Sequence, residues 1–108
     1  MKSFQNKLTT IEMPSPENGS SAKAEYGDLI SLLIKAPKQG GFDYSDIENR
    51  LAINKAVEAA KAKTGQEERT IDLEDAEFKY LKDLVTNTRW QFWHEDIIKF
   101  KEDILAVK

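Results

Sequence analysis

"SDIENRLAINKAVEAAKAKTG", residues 45–65, is the stretch on which the fold turns. Its opening, Ser45-Asp46-Ile47-Glu48, fits the S-x-x-E capping box, in which the serine oxygen and the glutamate each satisfy an otherwise unpaired amide at a helix start. Thr64-Gly65 supplies a C-terminal glycine. Lys55, Lys61 and Lys63 sit toward the negative end of the helix dipole, so the spacing predicts a helix ending near Lys63. Between those ends the apolar residues fall in two phases. Ile47 and Leu51 share one side, while Ile53, Val57 and Ala60 lie about 100° away at the 3.6-residue period. A continuous helix with a broad apolar face would produce this pattern, and so would a break near Ala52 to Asn54.

Upstream, Tyr26, Leu29, Ile30 and Leu33 recur at i, i+3, i+4 and i+7, which predicts a helix from Ser21 or Ala22, stopped by Pro37 and the Gly40-Gly41 pair. Leu32 and Ile34 fall off that stripe, so this helix is apolar over more than one narrow face. Downstream, residues 66–69 read as a charged loop. Thr70-Ile71-Asp72-Leu73 reads as a short strand, with Leu8-Thr9-Thr10-Ile11 as its candidate partner. Asp72 or Thr70 would cap a third helix carrying Glu74, Asp75 and Glu77 in its first turn and burying Phe78, Leu81, Leu84 and Val85. Asn87-Thr88 ends it. A fourth helix starts around His94 to Asp96 and spreads Ile97, Ile98, Phe100, Ile104 and Leu105 over a wide arc.

Near the start, Pro14-Ser15-Pro16-Glu17-Asn18-Gly19-Ser20-Ser21 opposes both helix and sheet. Asn18-Gly19-Ser20 also fits the glycosylation triplet, but with no secretion signal it reads as linker. The expected architecture is therefore mainly α: a small bundle of about four helices with room for one short two-stranded β pairing. Residues 1–21 would form an arm and linker, and residues 22–108 a single helical domain.

A chain of 108 residues suffices for one modest core and is too short for a cofactor-binding sheet plus a second lobe. With 40% hydrophobic and 32% charged residues it has the composition of a soluble globular protein. Its longest apolar run, Leu29 to Ile34 interrupted by Ser31, is far below membrane-spanning length. The first seven residues lack a signal peptide's apolar core, and there is no cysteine, so the expected setting is the cytoplasm. A net charge of −3 and a pI near 5.2 argue against nonspecific attachment to nucleic acid or acidic lipid.

The densest aromatic segment is "RWQFWHEDIIKF", residues 89–100, which holds both tryptophans, two of the five phenylalanines and the only histidine. Rings at this density need anchoring, since each would otherwise expose a large apolar area. Some should lock the third helix to the fourth. Trp90, Phe92, Trp93 and Phe100 are the candidates for a protein interface, where such residues supply much of the binding energy. His94, beside Glu95 and Asp96, invites an acid/base role, yet nothing completes a mechanism: there is no cysteine, no G-x-S-x-G elbow, no phosphate-cradling loop and no second histidine for zinc. Helix capping or a surface position is the expected role of His94. The acidic start of the third helix lacks the D-x-[DN]-x-[DN]-G pattern of calcium loops. No enzyme, cofactor, metal or small-molecule substrate is expected. The expected partner is another protein or a second copy of the chain.

Residues Asp46 to Ala60, "DIENRLAINKAVEAA", resemble the two-helix core of helix-turn-helix proteins, with Ala52-Ile53 as the turn and Asn54 capping a recognition helix that exposes Lys55, Glu58 and Lys61. The resemblance implies a DNA-binding regulator holding phosphates with Arg50, Lys55, Lys61 and Lys63, the alternative function. Ala52 stands where that family usually has glycine, and few groups here read base edges. The wider layout of residues 26–106, with "RLAINKAVEAA", then "LEDAEFKYLKDLV" and an aromatic C-terminal helix, is similar to small accessory proteins of bacteriophage genomes. That resemblance implies a protein that assembles into a virion component or modulates another protein, in the host cytoplasm or the virion. It transfers no functional residue.

Overall fold

The computed structural model describes residues 2–14, 21–62, 70–90 and 93–107. Among these the chain forms four strands and four helices: β1 (Lys2–Gln5), β2 (Leu8–Pro14), β3 (Ser21–Glu25), α1 (Tyr26–Lys35), α2 (Tyr44–Ala62), β4 (Thr70–Leu73), α3 (Asp75–Asn87) and α4 (Glu95–Ala106). The strands make two antiparallel pairs, β1 with β4 and β2 with β3. Four helices match the expected bundle, and the β content is twice the single pairing expected.

The strand Thr70–Leu73 forms as its alternation predicts, with Ile71 and Leu73 turned inward. Its partner is β1, in the register Phe4↔Ile71 and Gln5↔Thr70, rather than Leu8 to Ile11. That stretch is already committed to β3. There the pairing is irregular between Leu8 and Glu12. Thr9 fills the gap with its hydroxyl, which donates to the Ala24 carbonyl at 2.7 Å and accepts the Ile11 amide at 3.1 Å. The expected N-terminal arm is thus part of the domain. Residues 15–20, with the Asn18-Gly19-Ser20 triplet, lie outside the described residues, as do residues 66–69.

Helix α1 starts four or five residues later than the sequence suggests, because Glu25 and Asp28 form a capping box at Tyr26 and leave Ser21–Glu25 extended. Buried Asn6 secures this start, its side-chain oxygen accepting the Gly27 amide at 2.7 Å. Tyr26, Leu29, Ile30 and Leu33 are all buried, as their spacing predicts. Helix α2 runs from Tyr44 to Ala62 without interruption. The break near Ala52 to Asn54, and with it the helix-turn-helix, is therefore absent: Ala52, the strongest helix former, carries the helix on where a glycine would favour leaving it.

The box that starts α2 also lies two residues earlier than expected. The Asp46 amide donates to Asp43 Oδ1 at 2.7 Å, and the Asp43 amide donates to Asp46 Oδ2 at 3.1 Å. Gly40 and Gly41, with φ near +85°, turn the chain so that Asp43 rather than Ser45 reaches the cap position. Helix α3 is capped by Glu74 with Glu77, not by Asp72 or Thr70, because those two belong to β4. Asp72 instead accepts the Ser3 hydroxyl across the strand pair at 2.6 Å.

The core gathers one stripe from each helix with the inner face of β4. It includes Leu29, Ile30 and Leu33 of α1, Ile53, Val57 and Ala60 of α2, Phe78, Leu81 and Val85 of α3, and Ile97, Phe100 and Ile104 of α4. No helix of the described residues is long and apolar enough to cross a membrane.

Candidate protein-docking surface

Helix α2 carries two apolar stripes and buries only one. Ile53, Val57 and Ala60 are enclosed, whereas Ile47 is 42% and Leu51 58% exposed, and Tyr44, one turn before Ile47, is 85% exposed. Phe42, just before the helix, is 43% exposed. Together these four side chains present on the order of 400 Å² of mostly apolar surface, a size at which a patch on a monomer is often functional. Between the end of α1 and the first half of α2, Phe42, Ile47 and Leu51 border a groove of about 360 Å³, lined also by Ile34, Lys35, Arg50 and Asn54.

Arg50 holds the groove in shape. Its guanidinium stacks over the Phe42 ring at 4.6 Å and donates through Nη1 to the carbonyls of Ile34 at 2.9 Å and Ala36 at 3.2 Å, the unpaired end of α1. Its Nε donates to the Tyr80 hydroxyl at 2.9 Å, and that hydroxyl donates to Asp46 Oδ1 at 2.8 Å. Lys38 Nζ donates to the other Asp46 oxygen at 2.7 Å. Hydrogen bonds from Lys38, then Tyr80 and the Asp43 amide, hold the Asp46 carboxyl far below the ordinary carboxylate range. Burial, with the bond to Asp46, pushes the Tyr80 phenol up against the opposing pull of Arg50. This network lines a second cleft of about 800 Å³ that also borders Asp83 and Arg89. Asp46, Tyr80, Lys38 and Arg50 are committed to one another there, so they form a brace between helices rather than a set of free acids and bases.

The aromatic segment is divided differently from the expectation. Phe100 is fully buried, edge-on to Tyr26 at 5.0 Å and to Trp90 at 6.4 Å, and as a core residue it offers no surface to a partner. Its position on α4, three residues after Ile97 and four before Ile104, fixes it inward. Trp90 is half-buried and packs against the core. Trp93 is 94% exposed, and Phe92 lies outside the described residues. His94 caps α4, its Nδ1 accepting the Asp96 amide at 3.0 Å. Asp96 in turn accepts the Thr10 amide at 2.8 Å and hydroxyl at 2.7 Å, bonds that hold its carboxyl below the usual range and tie α4 to β2.

The three described residues of the phosphate-binding alternative, Arg50, Lys55 and Lys61, do not form a basic face. Arg50 is turned into the brace, Lys61 pairs with Asp28 of α1, Lys55 is exposed on the outer stripe of α2, and Lys63 lies outside the described residues. Among the described residues no group of three or more His, Asp or Glu side chains is placed to hold a metal.

The groove at Phe42, Ile47 and Leu51 went unpredicted. Its signal is present in the two phases of α2, which the sequence alone leaves as a broad apolar face or a break. No known protein family, curated protein or solved structure matches the chain.

Proposed function

We propose that the protein is a non-enzymatic interaction or assembly module that works by having the outer stripe of α2 covered by another polypeptide. The observation that carries this reading is the exposure of Ile47 and Leu51 on a helix whose other stripe already supplies the core. Phe42 and Tyr44 add aromatic area beside them, and the Arg50 brace fixes the groove before a partner arrives, which lowers the ordering cost of binding. Trp93, exposed just ahead of α4, offers a secondary contact. The resemblance to phage accessory proteins fits such a role. The cysteine-free composition fits work in a reducing cytoplasm.

Site-resolved photo-cross-linking in the native cell tests the reading. A photoreactive side chain at position 51 or 47 should yield the same discrete polypeptide adduct, competed by the unlabelled chain but not by its Ile47→Glu variant. The same probe at Lys79, exposed on α3, should yield none. Adducts of equal yield at all three positions, or none at 47 and 51, would refute the reading.

A further inference from the structure

The charges along the outer stripe of α2 identify what covers it. Tyr44, Ile47 and Leu51 form its apolar first half. Lys55 and Glu58 occupy the second half, on the same side of the helix at 3.6-residue spacing. Glu48 lies beside Lys55 on one flank of the stripe, two turns away and out of reach. Neither Glu48 nor Lys55 has an ion-pair partner among the described residues.

We infer that the occupant is a second copy of this chain, its α2 packed antiparallel on the first across a two-fold axis at Leu51. The inference rests on the docking role proposed above for the same stripe. Antiparallel pairing about Leu51 brings residues equally distant from it in sequence into contact, and residues on one flank meet residues on the same flank of the other copy. Glu48, three residues before the axis, then lies within one residue's rise of Lys55 of the second copy, four residues beyond it and on the same flank, and the two-fold repeats the pair. Tyr44 comes to Glu58 of the second copy as a phenol donor to a carboxylate. The aliphatic stem of Lys55 lies over Ile47 of the second copy, with its ammonium directed to Glu48. Leu51 packs on Leu51 at the axis, and the two helix dipoles oppose each other favourably.

In a parallel two-fold arrangement the flank carrying Glu48 and Lys55 would face the opposite flank of the second copy, and neither charge would meet its complement. The surface is therefore complementary to itself in one orientation only, as an isologous interface requires. Its apolar area falls short of the roughly 800 Å² per partner of a standard interface, so the dimer should be weak, with a Kd on the order of 10–100 µM.

Sedimentation equilibrium from 10 to 500 µM tests this on the full chain. The wild type should rise from the 12.3 kDa monomer mass toward twice that value. Leu51→Glu and the milder Leu51→Ala should remain monomeric over most of the range, with circular dichroism confirming the fold. Ile98→Glu on α4 should associate like the wild type. Glu48→Lys alone should weaken association about three- to tenfold, and adding Lys55→Glu should restore it. A wild type that is monomeric throughout, an associated Leu51→Glu, or a double variant no tighter than Glu48→Lys would each overturn the second copy as occupant. If that happens while the cross-linker at position 51 still captures a distinct protein, the docking role stands with a different occupant. Failure of both experiments removes both.

Discussion

Residues 51 and 53 lie two apart on α2 and should respond very unequally to the same truncation. Ile53 is fully enclosed, and Ile53→Ala removes three buried carbons, about 2.4 kcal/mol by transfer alone. The cavity left behind adds roughly 1 kcal/mol, and the better helix propensity of alanine returns about 0.4. The net loss is about 3 kcal/mol. In urea, with a slope near 1.5 kcal/mol/M for a domain of this size, that lowers the midpoint by about 2 M. Leu51 is more than half exposed, so Leu51→Ala should move the midpoint by less than about 0.3 M, its loss being within ~0.5 kcal/mol.

Unfolding should be followed by circular dichroism at about 5 µM, below the concentrations at which a weak dimer forms. At hundreds of micromolar the wild type should gain stability that Leu51→Ala lacks, because association stabilises only the folded chain. If Leu51→Ala loses as much as Ile53→Ala in dilute solution, the two stripes share one core and the reasoning fails.

Further outcomes follow from the braces around that helix. Arg50→Lys should cost about 1–2 kcal/mol in urea unfolding, because an ammonium cannot replace the fork that joins two α1 carbonyls, Tyr80 and the Phe42 ring; full stability in the lysine variant would contradict this. Asn6→Ala should cost about 1–3 kcal/mol by stranding the buried Gly27 amide, and Gly27→Ala should also destabilise, since its Cβ would stand 3.1 Å from Val57 and 3.2 Å from Asn6; an unchanged melting temperature in both would refute the account of the α1 start. The Asp46 and Asp96 carboxyls are held below their unfolded values, so the stability they contribute is present above about pH 4 and is lost as pH falls through their folded values. Asp46→Asn should therefore flatten the fall in stability between about pH 4 and pH 2, read from urea midpoints at each pH; an unaltered slope would contradict it. Trp93→Phe should remove most of the acrylamide-quenchable fluorescence and leave the shielded emission of Trp90; loss of the shielded component instead would reverse the two assignments.

Much of the helical framework was legible because local rules and tertiary packing agree there. The stripe Tyr26, Leu29, Ile30 and Leu33 is buried as spaced, α3 stops at Asn87 with Thr88 as its cap, and His94 caps α4. Helix starts were less legible where two acceptable caps lie close together, as with Asp43 and Ser45, since the choice depends on how Gly40 and Gly41 aim the chain. Strand pairing was misread for a related reason. Leu8 to Ile11 and Lys2 to Gln5 are both short and weakly patterned, and which one meets β4 depends on β3, whose residues look helical in isolation.

The aromatic segment divides between core and surface in a way that ring density alone does not reveal, with Phe100 buried and Trp93 exposed. Phe100 and Trp90 serve the core, while the exposed stripe of α2 is built from Tyr44, Ile47 and Leu51 with Phe42 beside it, all outside that segment. The two-phase pattern of α2 contained the answer. Choosing among its readings required knowing that the α1–α2 contact, at Gly27 and Val57, admits only one of the two stripes.

The central claim, that the outer stripe of α2 exists to be covered, is tested most directly by thiol labelling of Leu51→Cys, which places a single cysteine in an otherwise cysteine-free chain. Labelling should be fast at a few micromolar and slow progressively toward 500 µM as the second copy covers the site, while Ile98→Cys labels at one rate throughout. A labelling rate at position 51 that never changes with concentration, or one that is slow even in dilute solution, would contradict the account.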